Sequence, residues 1–549
     1  MIALLEKYPK TTLFTLVLLM LLPHLSILEV TIMEARNFIT AREMLTLDHW
    51  LLTTMNDAPR YEKPPLPTWL SALSASLFGL QVWALRFPAV LMVAFLGLGV
   101  FALSCLVFRS SLERHQTEGE KLTLERSQAL QYGLIAVTSF YVIGILFEGP
   151  WDIYAHTFTL GAIYGLYREF QVKQSLGNVV LAGLCLGAGI LSKGPVSLYA
   201  LFLPFLIAYG MTYGGRTLSS RWKAIGGVLL IGLLSGGWWY AYVRWADPAA
   251  FEAIAARETA NWGSYNIRPF YYYWSFFTQS GIWTLPAVMA LMYPYLKSRV
   301  KHLKAYQLTF WWTISAVILL SVIPEKKSRY LMPVLIPLAM NTGFYIHFVI
   351  QKFNRFKQGW ERIPVYVHFG LLALIALSVP IALYLLLGDQ LSGYWIWYTL
   401  LSLASLILGV FLLVQLRRGA IKTAFYGSIG FVLVLLIFGF PLAKVAQSNP
   451  NYRSLGELQQ IELPVYAWEE PGPEVLWDYG SVLPLLRSRD TSLPDKLGVL
   501  VDLEAVNRLQ EQYPDRRLIH QATYDLNTVA PDEKGRKGRL TIEYYWLVK

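Results

Sequence analysis

Five stretches of this 549-residue chain put charged side chains where they could act on a substrate. Met33-Glu34-Ala35-Arg36-Asn37 follows an apolar run, so Glu34 is either a general base facing a lipid-borne substrate or an ordinary solvated loop acid. Tyr61-Glu62-Lys63-Pro64-Pro65-Leu66-Pro67 is stiffened by proline, so Glu62 and Lys63 lose little entropy on binding. A rigid lysine is a good phosphate anchor; the alternative is a stiff loop with a solvated ion pair. Asp152 starts an apolar segment and is costly at membrane depth without a partner. His156 lies one turn on, either as its hydrogen-bond partner or as half of a metal pair. Leu191-Ser192-Lys193-Gly194-Pro195 places a lysine where Pro195 can open a helix whose free N–H groups attract anions. Lys326, Lys327 and Arg329 crowd another junction, with Tyr330 next to them. Together with Lys63, Lys193, Arg36 and Arg268 they can ring a pyrophosphate or phosphodiester, or attract lipid headgroups.

The elements that must hold these residues are membrane helices. The chain is 55% hydrophobic and 15% charged, against roughly a quarter charged in soluble proteins. That excludes a disordered chain and a cytosolic enzyme. Thirteen segments are long and apolar enough to be candidate spans: 11–31, 84–108, 128–147, 150–167, 177–192, 194–213, 224–243, 281–297, 306–323, 330–350, 365–387, 395–416 and 423–441. With the N-terminus in the cytoplasm, 22 of the 34 bases in residues 1–441 fall in cytoplasmic segments, Arg114 among them. An odd count then places residues 442–549 outside. The outer loops 32–83 and 244–280 carry the candidate residues, the second with Tyr271-Tyr272-Tyr273-Trp274. Residues 35–47 read as an amphipathic helix lying on the membrane. The tail has a soluble composition and reads as α/β, with strands at 475–477, 497–501 and 542–547 and a helix at 503–510 capped by Asp502. Cys105 and Cys185 both sit in apolar runs, which gives no disulfide framework. The net charge of +11 is spread between apolar segments and is no nucleic-acid signature.

The order Glu34-Ala35-Arg36, Ala41-Arg42-Glu43-Met44, Tyr61-Glu62-Lys63-Pro64-Pro65-Leu66, Asp152, Leu191-Ser192-Lys193-Gly194-Pro195 and Arg329-Tyr330-Leu331-Met332-Pro333 closely resembles the bacterial lipid A aminoarabinose transferases. These group with the protein O-mannosyltransferases in the GT-C superfamily of membrane glycosyltransferases. The resemblance covers about residues 1–340. It implies a GT-C-type polytopic helical protein of the bacterial inner membrane, monomeric, with a periplasmic C-terminal domain. It implies transfer of a sugar from a polyprenyl-phosphate donor to an envelope glycolipid, glycan or protein acceptor, without a nucleotide sugar. The first-loop carboxylate is expected to act as base or to orient the acceptor, with Lys63 and Arg36 holding the donor phosphate.

Two departures from the family pattern stand out. Met33 occupies the usual Asp position and leaves Glu34, with Asp152 as second choice of base. An acceptor that arrives as an anion needs no base at all. Some relatives join the Glu of Glu-Lys-Pro-Pro to a loop histidine around a metal. This chain has no histidine between 157 and 301, so no metal is predicted, and Glu62 is left to contact a substrate hydroxyl. A single displacement that inverts the anomeric centre is the expected chemistry. The rival readings are a transporter or lipid flippase, which predicts inverted repeats and discontinuous helices near mid-bilayer, and a scaffold whose tail recruits a partner, which needs no rigid basic junctions.

Overall fold

The computed structural model describes residues 1–110, 118–148, 150–445, 447, 449–486, 493–531 and 533–549. Arg114 and Gly149 lie outside the described residues. The chain is a multi-pass membrane protein. Among the described residues, eight helices are long and apolar enough to cross a bilayer, including Val82–Arg109, Leu176–Lys193, Trp222–Ala246 and Ser328–Arg355. Glu125–Val137 and Phe140–Glu148 are together apolar enough for a further crossing, bent by 44°, as a broken span or a re-entrant loop. The bend has a local cause: the Thr138 and Ser139 hydroxyls donate back to the carbonyls of Leu134 and Ile135, four residues earlier.

The expected thirteen spans are not all regular helices of spanning length. Pro9–Leu21 has 13 residues and ends two residues before Pro23. The segment expected at 194–213 opens as a π-helix, Leu198–Phe202, before continuing as Leu203–Tyr213. Pro204, without an N–H, breaks the regular ladder there. The segment expected at 281–297 is divided into Phe276–Trp283, Thr284–Leu291 and Tyr293–Leu296. Gly281 at φ +65°, and the break at Met292 ahead of Pro294, interrupt it.

Small residues bring the site-bearing helices close. Gly187 of Leu176–Lys193 faces Gly232 and Gly236 of Trp222–Ala246, and Gly183 faces Ile231 and the Val228 carbonyl. A Cβ on Gly236 would come within 2.4 Å of the Gly187 carbonyl oxygen. Close approach of this kind is how membrane helices gain packing when lipid is as apolar as their side chains. It fixes the Lys193 end of the first helix against Trp239 and Tyr240.

The first loop folds as a helix, Ile32–Thr46, a two-residue hairpin at Thr54–Met55 and Ala58–Pro59, and a helix Leu66–Phe78. The helix expected to lie on the membrane is instead covered by the tail. Ala35 and Ile39 pack with Leu455, Val475 and Leu476. Arg42 donates to the carbonyls of Leu476 and Ser481 at 3.3 and 3.2 Å. The tail carries a four-stranded mixed sheet in the order Val465–Ala467, Lys496–Asp502, Thr541–Val548, Arg517–Asp525. Residues 475–477, expected as a strand, belong to the helix Pro473–Tyr479. Pro473 at its first turn and left-handed Gly480 at its end, φ +88°, favour helix over strand. The expected helix at 503–510 begins as a 3-10 turn, Leu503–Ala505, and continues as Val506–Gln512; Asp502 makes no side-chain cap bond.

Candidate active site

Asp152 opens the helix Pro150–Gln171 and is almost wholly buried, 2% exposed. It needs a counter-ion at that depth, and Lys193 supplies it in a close ion pair. His156 Nε2 lies 3.6 Å from the same carboxylate oxygen, while its Nδ1 is buried without a partner among the described residues. Lys193 also lies over the Tyr330 ring, 5.1 Å from its centre. Lys327 and Arg329 approach that ring at 5.7 and 5.9 Å. One aromatic ring therefore gathers three cations, and its hydroxyl donates to Glu325 at 3.2 Å. Lys327 pairs with Glu325 at 2.6 Å, whereas Arg329 makes no ion pair among the described residues.

A second group adjoins through Trp151. The Arg60 guanidinium stacks over the Trp151 ring at 5.6 Å and donates to the Thr40 hydroxyl at 3.2 Å. Burial pushes Arg60 down to about 10; the Glu62 charge opposes that shift and the Arg36 charge adds to it. Lys63, about 29% exposed, is also lowered by burial, opposed by Glu258 and reinforced by Lys193 and Arg60. Arg36 forms no ion pair among the described residues. Lys193, Lys327 and Arg329 thus gather beside Asp152 and Glu325, and Arg60, Lys63 and Arg36 form a second positive group beside Glu62 and Glu258. A phosphate entering either group would gain charge-assisted bonds that no protein anion fully supplies.

Other candidates are placed differently. Glu34 is fully buried and closes a capping box with Thr31 at the start of its helix. Both of its oxygens also accept from Arg86, at 2.7 and 2.9 Å. This geometry assigns Glu34 to holding a helix end and a buried arginine, and speaks against the general-base role. Lys326 is 3% exposed, and its ammonium donates to the backbone carbonyls of Arg268 and Ile323 at 3.0 and 2.6 Å. It ties the loop of Arg268 to the junction at Ile323. Arg268 is exposed, with its guanidinium 6.0 Å from the Tyr272 ring. Tyr61 is buried and donates to Asp247 at 2.8 Å, which makes it a packing residue of the turn. Glu62 is paired with Arg257. Arg60, Arg86 and Trp151 were not singled out in the sequence. A lone arginine in an apolar helix, as Arg86 is, was the signal available.

No family model matches the chain. It is 25% identical over 329 residues to an undecaprenyl phosphate-alpha-4-amino-4-deoxy-L-arabinose arabinosyl transferase of Enterobacter sp. (strain 638), over 56% of this chain and 53% of that protein. To the transferase of the same name in Serratia proteamaculans (strain 568) it is 23% identical over 437 residues, 74% of this chain and 71% of that one. Against the Enterobacter protein the chain spans about half the relative's length. The crystal structure of ArnT from Cupriavidus metallidurans bound to undecaprenyl phosphate superposes with a TM-score of 0.64 at 16% identity, over 99% of this chain and 97% of that one. The chain has the ArnT fold. The apo structure of the same ArnT gives a TM-score of 0.60. In sequence and fold alike the chain resembles the ArnT transferases, and the flippase reading finds no support among the relatives.

Proposed function

We propose that this protein is a polyprenyl-phosphate-sugar-dependent glycosyltransferase of the bacterial inner membrane. It acts as a monomer of thirteen passes with residues 442–549 in the periplasm. The observation that carries the reading is the cluster of Lys193, Lys327 and Arg329 around Tyr330, beside Arg60 and Lys63 and next to Asp152. Such a field neutralises a phosphodiester and turns the polyprenyl phosphate into a good leaving group without protonation. Arg329, Arg36 and Lys63 are the donor anchors, because their charges are the least committed to protein anions. Lys193 stays with Asp152 and adds its field.

The acceptor follows from the state of the acids. Glu34 is occupied by Arg86, and Asp152 by Lys193, so neither is a strong base. An acceptor already ionised at neutral pH, such as a lipid A phosphate, needs none. Asp152 then orients Lys193, and through His156 the neighbouring polar edge, rather than taking a proton. The phosphate oxygen attacks the anomeric carbon in line, the carbon–oxygen bond to the polyprenyl phosphate breaks, and the anomeric configuration inverts. Comparative mass spectrometry of envelope lipids with and without the gene tests this. Loss of a sugar-sized mass from a lipid A species supports the reading. An unchanged lipid and glycan profile refutes it.

A further inference from the structure

The proline-stiffened turn meets the helix Pro248–Ser264 through two charge pairs of complementary order. Glu62 takes the Arg257 guanidinium in a close ion pair, and Lys63 Nζ lies 3.9 Å from Glu258. Glu-Lys on the turn thus faces Arg-Glu on the helix. The two pairs differ in tightness. The Glu62 side chain is 22% exposed, and its second oxygen is buried without a partner among the described residues. The Lys63–Glu258 contact is at the limit of an ion pair, with both ends open to solvent.

In some members of the family that this chain resembles, the corresponding glutamate shares a metal with a loop histidine. The residues present here do not fit that group. The side chain meeting Glu62 is an arginine, which stays protonated at any working pH. A divalent cation at Glu62 would sit among the charges of Arg257, Lys63 and Arg60. Among the described residues, no group of three or more His, Cys, Asp or Glu is placed to hold a metal ion.

We infer that the Arg257 guanidinium stands in for a metal at Glu62, and that Arg257 and Glu258 form a clasp positioning Lys63 for the donor phosphate. Both are positioning residues. The close pair pins Glu62, the neighbour of Lys63, and Pro64 restricts the Lys63 backbone from the other side. The long pair keeps the Lys63 ammonium near its place while leaving it exchangeable, since a phosphate binds it better than a carboxylate at 3.9 Å does.

The inference rests on the proposed donor, so the test reads binding and metal content as well as transfer. Undecaprenyl phosphate is titrated against the full-length purified protein, Glu62→Arg, Arg257→Glu and the double reversal, and bound metals are measured by mass spectrometry. Each single reversal is expected to weaken binding about threefold to tenfold, and the double reversal to recover most of it. Wild-type protein is expected to carry no stoichiometric divalent metal and to bind equally well after chelation. Stoichiometric metal whose removal abolishes binding would overturn the clasp, as would a double reversal no better than the singles. If wild type fails to bind undecaprenyl phosphate, the donor reading falls, and the metal content still decides whether Arg257 replaces a metal.

Discussion

Glu34→Gln separates a structural acid from a catalytic one. In the wild type, the Glu34 carboxylate meets Arg86 Nε and Nη2 at 2.7 and 2.9 Å, with both side chains 1% exposed or less. Arg86 also donates to the Leu28 and Glu29 carbonyls at 2.9 and 3.2 Å, so it cannot swing out to water without losing them. Glutamine keeps one acceptor but turns an N–H toward the guanidinium and leaves a buried charge uncompensated. Breaking a buried pair in this way costs about 3–5 kcal/mol. The variant should lose thermal stability in detergent while the fraction that stays folded keeps its turnover. Arg86→Met combined with Glu34→Gln should recover part of the loss, because an apolar isostere removes the orphaned charge. The reasoning fails if Glu34→Gln is as stable as wild type and its turnover falls about a hundredfold, the mark of a lost general base.

Arg329→Ala and Lys63→Ala should weaken donor binding with little change in stability; one charge-assisted phosphate contact is worth about 1.5–3 kcal/mol, a tenfold to hundredfold loss in titration. Lys326→Met should do the opposite, lowering the melting midpoint but leaving donor affinity unchanged, because its ammonium is spent on backbone carbonyls. In the tail, burial would raise the Asp525 carboxyl, but bonds from Asn527 and Asn449 and the Arg536 charge outweigh it and hold the group below the usual range. Its stabilising effect is therefore complete above a pH of about 4 and lost as the pH falls through the lowered folded-state value. Limited proteolysis of the tail should quicken on acidification in wild type, and Asp525→Asn should flatten that dependence.

The parts of the site that the sequence made legible were those where a charge interrupts an apolar run. Asp152 and Lys193 stood out for that reason, and the structure joins them. Arg329 and Tyr330 stood out as a basic junction. What stayed hidden depended on distant partners. Glu34 reads as a loop acid until Arg86, 52 residues on, is seen against it. Arg60 gains meaning only from the Trp151 ring. Lys326 and Lys327 are adjacent and identical in type, and only the fold turns one toward carbonyls and the other toward Glu325. The run Val475-Leu476-Trp477 is too short for its apolar pattern to distinguish strand from helix. The flanking Pro473 and Gly480 carried the helical signal. Apolar length alone does not reveal where glycine and proline divide a stretch into shorter helices, as around Gly281 and Pro294.

The most direct measurement is reconstituted transfer. Purified protein in lipid vesicles is given an undecaprenyl-phosphate-linked aminosugar of defined anomer and lipid A, and both products are quantified. The account predicts that undecaprenyl phosphate is released in equal amount to glycosylated lipid A, with inverted configuration at the anomeric carbon and loss of both signals in Arg329→Ala. Movement of the intact donor between leaflets with no glycosylated product would contradict it.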